Sequence, residues 1–254
     1  MMFYTQMIKN FFCKKTAFTL AEVLITLSII GVVSAITIPT VQKKYLAFQF
    51  SSAFKKAYSE VGQMSKMLVL EYGTNDLYGE LGSSTAVNST QKGLAKSVEN
   101  YLKNTTNKPQ RAIAGKIYDT NGKEVKYKNY SGTANMYTPI LDDGGYELMD
   151  GRAIWFEGGF EKNAFIISYD INGLSSPPNR FGYDLFSFVL GEDGQFYPIG
   201  SPRINMTKIS YAYCGAEAKN VTSGCSKTSK STCNGISCSY KAVTDKDYFS
   251  ELYK

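Results

Sequence analysis

The chain has 254 residues, 43% hydrophobic and 20% charged, which fits a folded domain with an appendage and excludes a disordered polymer. Of its net charge of +6, Lys9, Lys14 and Lys15 supply three in an acid-free first stretch, so the remaining +3 is an ordinary mixed surface, with a basic nucleic-acid face kept as the alternative reading. There is no histidine, which excludes a Ser-His-Asp triad, a Cys-His pair and any His-ligated metal centre.

From Phe18 to Ile38 every residue is apolar or small except Glu22. A run of about 21 such residues spans roughly 30 Å as a helix, the thickness of a bilayer core. Lys14-Lys15 precede it and Lys43-Lys44 follow it; the positive-inside rule places the leader on the cytoplasmic side. Glu22 is the anomaly, because a lone carboxylate one turn into a membrane helix is costly unless it is paired, protonated or able to snorkel. Cleavage after Ala17 would supply a partner, the free α-amino group of Phe18. That amine could belong to the same chain or to a staggered neighbour, and an intermolecular pair would fix axial register. A rival reading takes Val33-Ser34-Ala35 as an ordinary secretory cleavage site, but an acid at the start of the apolar run fits such a signal poorly.

Basic residues, a small residue, then Phe18-Thr19-Leu20-Ala21-Glu22 and an apolar helix resemble the prepilin signal of type IV pilins and type II secretion pseudopilins. The resemblance implies cleavage by a prepilin peptidase between Ala17 and Phe18, N-methylation of Phe18, and Glu22 as the docking carboxylate during subunit assembly. The family usually has glycine before the cut; Ala17, the next smallest residue, implies slower processing. Pro39 falls where many type IV pilins carry a proline, and its missing N–H implies a kink or local melting of the helix.

Beyond the apolar run, Val41, Tyr45, Phe48, Phe54, Tyr58, Val61, Met64 and Leu68 recur at helical spacing, with Lys43, Lys44, Lys55, Lys56, Glu60 and Lys66 mostly on the other face. Gly73 follows as a C-cap, so one helix is expected over 18–72, transmembrane over 18–38. A Gly/Ser/Thr-rich linker over 73–90 leads to a short helix, capped by Ser89 or Thr90 and running to Asn104. Strands are then expected at 113–118 and 124–130 around Asn121-Gly122, at 152–157 and 164–170, and at 184–190 and 195–199 around Glu192-Asp193-Gly194. Asp142-Asp143-Gly144-Gly145 reads as a turn.

Asp170-Ile171-Asn172-Gly173 and the stretch from Pro177 to Phe186 resemble a segment of pseudopilin-like globular domains. Asp170, Asn172 and Asp184 could offer oxygen ligands to calcium, though Asp, Asn and Gly are also plain turn formers, and the second reading is preferred. No other cofactor is expected. Cys13 lies in the leader, whereas Cys214, Cys225, Cys233 and Cys238 cluster in a Ser/Thr/Lys-rich segment without any CxxC pair, which favours disulfides over zinc. Three pairings are open; neighbour pairing, Cys214 with Cys225 and Cys233 with Cys238, is the default.

The expected protein is α+β and pilin-like: a leader (1–17), a long helix (18–72) packed on an antiparallel sheet, and an extracytoplasmic domain (73–254) ending in a Cys-containing loop (205–254). No Walker A, GxGxxG or GxSxG motif is present, so no enzyme is expected. The implied role is a structural or minor subunit of a type IV pilus or type II secretion pseudopilus. Its expected partners are the inner membrane, the peptidase, other subunits, and an assembly platform with its ATPase. The alternatives are a minor pilin-like binding module for DNA, a surface or cargo, and a signal-anchored extracytoplasmic protein.

Overall fold

The structure is a computed structural model that describes residues 18–81, 93–99, 101–102, 105–110, 112–113, 116–119, 121–141, 143–158, 165–204, 214 and 221–253. The chain forms two compact units, residues 1–43 and 44–254, with helix α1 (Leu20–Tyr72) contributing to both.

In the first unit, α1 is apolar on every side and its large side chains from Leu20 to Ile38 are exposed. Hydroxyls inside it turn back on their own helix: Thr26 donates to the carbonyl of Val23 (3.0 Å), Ser28 to that of Leu24 (2.7 Å) and Thr37 to that of Val33 (2.9 Å). These three hydroxyls are thereby satisfied without water, as a lipid-facing helix favours. Pro39 lies inside the helix, where it has no N–H to donate to Ala35.

In the second unit, α1 buries Ala47, Phe50, Phe54, Ala57, Val61, Met64 and Leu68. Their alternating spacings of three and four residues draw one seam down the helix. Tyr45 and Phe48, expected on that seam, lie outside it and are exposed, because the buried stripe runs through Ala47 and Phe50 instead. The helix ends at Gly73, whose φ of +65° and N–H to the Val69 carbonyl (2.9 Å) make the expected cap. Two short helices follow, α2 (Leu77–Leu81) and α3 (Leu94–Glu99). The proposed caps Ser89 and Thr90 lie outside the described residues, and α3 stops well short of Asn104.

A six-stranded antiparallel sheet has the order β1 (Thr105–Gln110), β5 (Gly145–Leu148), β6 (Ala153–Gly158), β7 (Phe165–Asp170), β8 (Leu185–Leu190), β9 (Phe196–Pro198). A second sheet of β2 (Ala112–Ile113), β3 (Lys116–Tyr118) and β4 (Glu124–Val125) holds the hairpin around Asn121-Gly122, with Gly122 at φ +78°. Asp119 shapes that turn by accepting from the N–H groups of Asn121 (2.9 Å) and Lys123 (2.8 Å).

The large sheet is covered on both faces, which is why its central strands read as continuous apolar runs. Ile154, Phe156, Phe165, Ile167, Tyr169, Phe186 and Phe188 meet α1, while Ala153, Trp155, Ile166, Leu185 and Val189 pack on Ile117, Tyr127, Ile140 and Leu141. One ion network fastens the helix to the sheet. Arg152, with its side chain 10% exposed, donates two bonds to Glu60 (2.8 and 3.0 Å) and one to Asp150 (2.8 Å); Tyr169 donates to Glu60 (3.1 Å). Paired bonds of this kind are directional as well as strong.

The C-terminal segment, expected as a loop, contains α4 (Val221–Gly224), α5 (Cys238–Thr244) and α6 (Tyr248–Leu252). All four clustered cysteines are bridged, but the pairing is Cys214–Cys233 and Cys225–Cys238, which corrects the neighbour pairing. The reason is local. Asn234, fully buried, accepts from the N–H of Ser226 and donates to the carbonyls of Ser226 and Ser229, so the intervening loop closes on itself. Cys238, at the first turn of α5, is buried against Gly182 and reaches Cys225 at the end of α4. Gly182 has φ +77°, and a Cβ there would stand 2.7 Å from the Cys238 sulfur.

Candidate functional site

Ala17 lies outside the described residues. Phe18 begins the described chain and is 85% exposed, immediately before the helix start. There the sequence Thr19-Leu20-Ala21-Glu22 folds as a capping box. Thr19 donates both its N–H (2.8 Å) and its hydroxyl (2.9 Å) to Glu22 Oε2, and its hydroxyl oxygen accepts the N–H of Glu22 (3.2 Å). Two helix-terminal N–H groups are satisfied in this way, and an acid at the third helical position also suits the positive end of the helix dipole.

Glu22 therefore has a local function that the sequence reading did not assign: it starts the helix. Thr19 was missed as its partner, although a threonine three residues before a glutamate at the head of an apolar run is a legible signal. The box uses one carboxylate oxygen, Oε2; among the described residues Oε1 accepts no hydrogen bond. The carboxylate is held in place at the helix start with its second oxygen turned away from the box's bonds.

The calcium candidates occupy a different part of the molecule. Asp170 and Asp184 are both fully buried and stand at the two ends of one loop, with the Ile171 N–H donating to the Asp184 carbonyl (2.8 Å). Asp170 accepts from the N–H groups of Asn172 (3.2 Å) and Gly173 (2.7 Å) and from the Tyr127 hydroxyl. Asp184 accepts from the N–H groups of Asn179 and Arg180, each at 2.6 Å. Asn172 turns its amide nitrogen to the carbonyls of Ser176 (3.0 Å) and Pro177 (2.9 Å). The Asp170 and Asp184 oxygens are thus occupied in closing the loop, and a cation would have to displace backbone donors from them, whereas Asn172 Oδ1 is buried and accepts no hydrogen bond among the described residues. Among the described residues no three His, Cys, Asp or Glu side chains converge to hold a metal ion.

Burial raises the Asp170 carboxyl to about 6 despite the Tyr127, Gly173 and Asn172 donors. Burial first and the Asp170 charge second raise Asp184 well above the ordinary carboxylate range. The same burial, with Asp170 beside it, pushes the Tyr127 phenol far up.

No curated protein and no solved structure matches the chain. A segment that spans residues 13–17, Phe18, the capping box and the apolar half of α1 does match a family model: residues 13–38 carry the prokaryotic N-terminal methylation motif, the prepilin-type signal of type IV pilins and pseudopilins.

Proposed function

We propose that the chain is a filament subunit of a type IV pilus or type II secretion pseudopilus, made as a membrane-held precursor. The observation that carries the reading is the coincidence of the methylation motif with a helix whose apolar side chains are uncovered all round. Such a helix needs lipid first and neighbouring helices later. In this reading a prepilin peptidase removes residues 1–17 by cutting after Ala17, and Phe18 becomes the methylated N-terminus. Residues 18–38 hold the subunit in the inner membrane with residues 73–254 outside the cytoplasm. An ATPase-driven platform then draws the helix out among its neighbours. Glu22 offers Oε1 to the Phe18 amine of an adjacent subunit, and Pro39 loosens the helix where the apolar stretch ends.

The test is the mature N-terminus, read by peptide mass spectrometry after expression of the full chain with a prepilin peptidase. A chain beginning at Phe18 with one added methyl group is expected. A chain beginning at Ile36, or an intact Met1, overturns the reading. Glu22→Ala is expected to permit cleavage and to prevent assembly.

A further inference from the structure

Between α1 and the β5–β6 turn lies an open cleft of about 650 Å³, lined on its apolar side by Met64, Met67, Tyr101, Leu102, Leu148 and Met149. The methionines among the described residues are Met64, Met67, Met136 and Met149, and all but Met136, which packs in the core on the other face of the sheet, line this cleft. Core packing explains only one of the three. Met64 is 4% exposed and belongs to the core between helix and sheet, whereas Met67 is 43% and Met149 72% exposed, so neither fills a gap in that core.

The helix and the turn bring the three together. Met64 and Met67, three residues apart, stand on one side of α1, with about 5–6 Å between their Cβ atoms. The turn is closed by the Gly151 N–H on the Leu148 carbonyl (2.9 Å), and it is pinned to the helix at both of its charged residues. Asp150 accepts from Lys56 Nζ (3.1 Å), and Arg152 reaches Glu60, one helical turn before Met64. Met149 thus enters the cleft from the turn on an unbranched side chain with three rotatable bonds.

The chemistry left free in the cleft is soft. Glu60 receives Arg152 and Tyr169, and Asp150 receives Arg152 and Lys56, so a hard cation finds their oxygens held. A thioether is only a weak acceptor and has no strong hydrogen bond to give up. With no histidine in the chain, and with Cys214, Cys225, Cys233 and Cys238 in disulfides, the domain lacks the imidazole and thiolate ligands on which zinc relies. Thioethers select copper(I) instead.

We infer that Met64, Met67 and Met149, two from the helix and one from the turn, form a copper(I) site with their three sulfurs as ligands. Silver(I), likewise soft and singly charged, fits the same ligands and is a probe that needs no reductant. The inference goes beyond the filament reading and does not depend on it, since the three residues lie in the domain whether or not the leader is cut.

The experiment uses the full chain in detergent micelles, with its disulfides intact and with Cys13→Ser so that no free thiol competes. Silver(I) is titrated in while the methyl signals of Cε-labelled methionines are followed by NMR. Those of Met64, Met67 and Met149 are expected to shift and to saturate at one equivalent, and that of Met136 to stay in place. Competition with a chromophoric copper(I) chelator under anaerobic conditions then reads the affinity. Met67→Leu with Met149→Leu, which nearly conserves side-chain volume, is expected to weaken copper(I) binding by about tenfold or more, and Met136→Leu to leave it unchanged. Adding Met64→Leu is expected to abolish binding; should that variant fail to melt cooperatively, the double variant, confined to uncovered side chains, decides. Excess zinc is expected not to displace the bound metal. Failure of the chain to bind either ion, binding that survives Met67→Leu with Met149→Leu, or displacement by zinc overturns the inference.

Discussion

At the scale of single residues, Thr19 and Glu22 show how one side chain can serve two stages. The capping box fixes the carboxylate by one oxygen, so the geometry is set before any neighbour arrives. Thr19→Val keeps the shape and removes the hydroxyl. It should cost the helix start about 1 kcal/mol, the usual worth of a cap, and speed amide exchange over residues 20–23 by about fivefold in micelles. Thr19→Ser should keep both values near those of the unmodified chain; equal exchange in all three proteins would deny the box a role. Asp170 and Asp184 support a prediction of opposite character. Their folded-state carboxyls lie above the ordinary range, so the native state holds protons that the unfolded state has already released. Stability from this pair is complete below the unfolded value of about 4 and is lost as pH rises through about 6 and beyond. The midpoint of urea unfolding should therefore rise as pH is lowered from about 8 to about 5, and Asp184→Asn should flatten that slope. A midpoint that falls over this range would show that the backbone donors outweigh burial.

At the scale of elements, the long helix was legible because its two halves obey different rules. Uninterrupted apolarity marks the first half, and a three–four spacing marks the second. What could not be read was which of two interleaved apolar stripes faces the sheet: Tyr45 and Phe48 are as greasy as Phe50 and Phe54, and only packing against Phe186, Phe188 and Phe249 decides. The paired strands β6–β7 and β8–β9 were legible from their apolar runs and turn residues. Strand β1, with Pro109 in its course, and strand β5, which begins at Gly145 directly after Gly144, were hidden by residues that normally signal turns. Glu60 was read as a solvent-face residue, yet it receives Arg152 and Tyr169 across 92 and 109 residues of sequence, a pairing that no local pattern reveals. Its contribution is measurable. Arg152→Met keeps much of the buried stem but removes both guanidinium bonds to Glu60, leaving it the Tyr169 hydroxyl and Lys56 at 4.0 Å, and should destabilise the domain by about 1–3 kcal/mol. Glu60→Gln with Arg152→Met should recover part of that loss, because no uncompensated charge remains. The same network bears on Asp150: burial would raise its carboxyl, but the Lys56 and Arg152 contacts outweigh that and hold it low.

At the scale of the whole molecule, the C-terminal segment joins the two cores on either side of the large sheet. Cys225–Cys238 lies in the core shared with α1, and Cys214–Cys233 lies in the core on the opposite face. Sequence showed four cysteines in a polar stretch but could not show this, since the pairing depends on where α5 and the Asn234 hub place each sulfur. The two bridges close loops of similar length, with separations of 13 and 19 residues. Chain entropy alone would therefore value them nearly equally, at about 3 kcal/mol each. Their surroundings differ. Cys238 packs under Gly182, and Cys225 lies 3.9 Å from the Tyr248 hydroxyl, in the aromatic cluster by which α6 reaches Phe54 on α1. Replacing both Cys225 and Cys238 by alanine should thus cost about 2 kcal/mol more than replacing Cys214 and Cys233, because it loosens buried packing as well as chain topology. Equal losses from the two pairs in equilibrium unfolding would reduce both bridges to simple tethers.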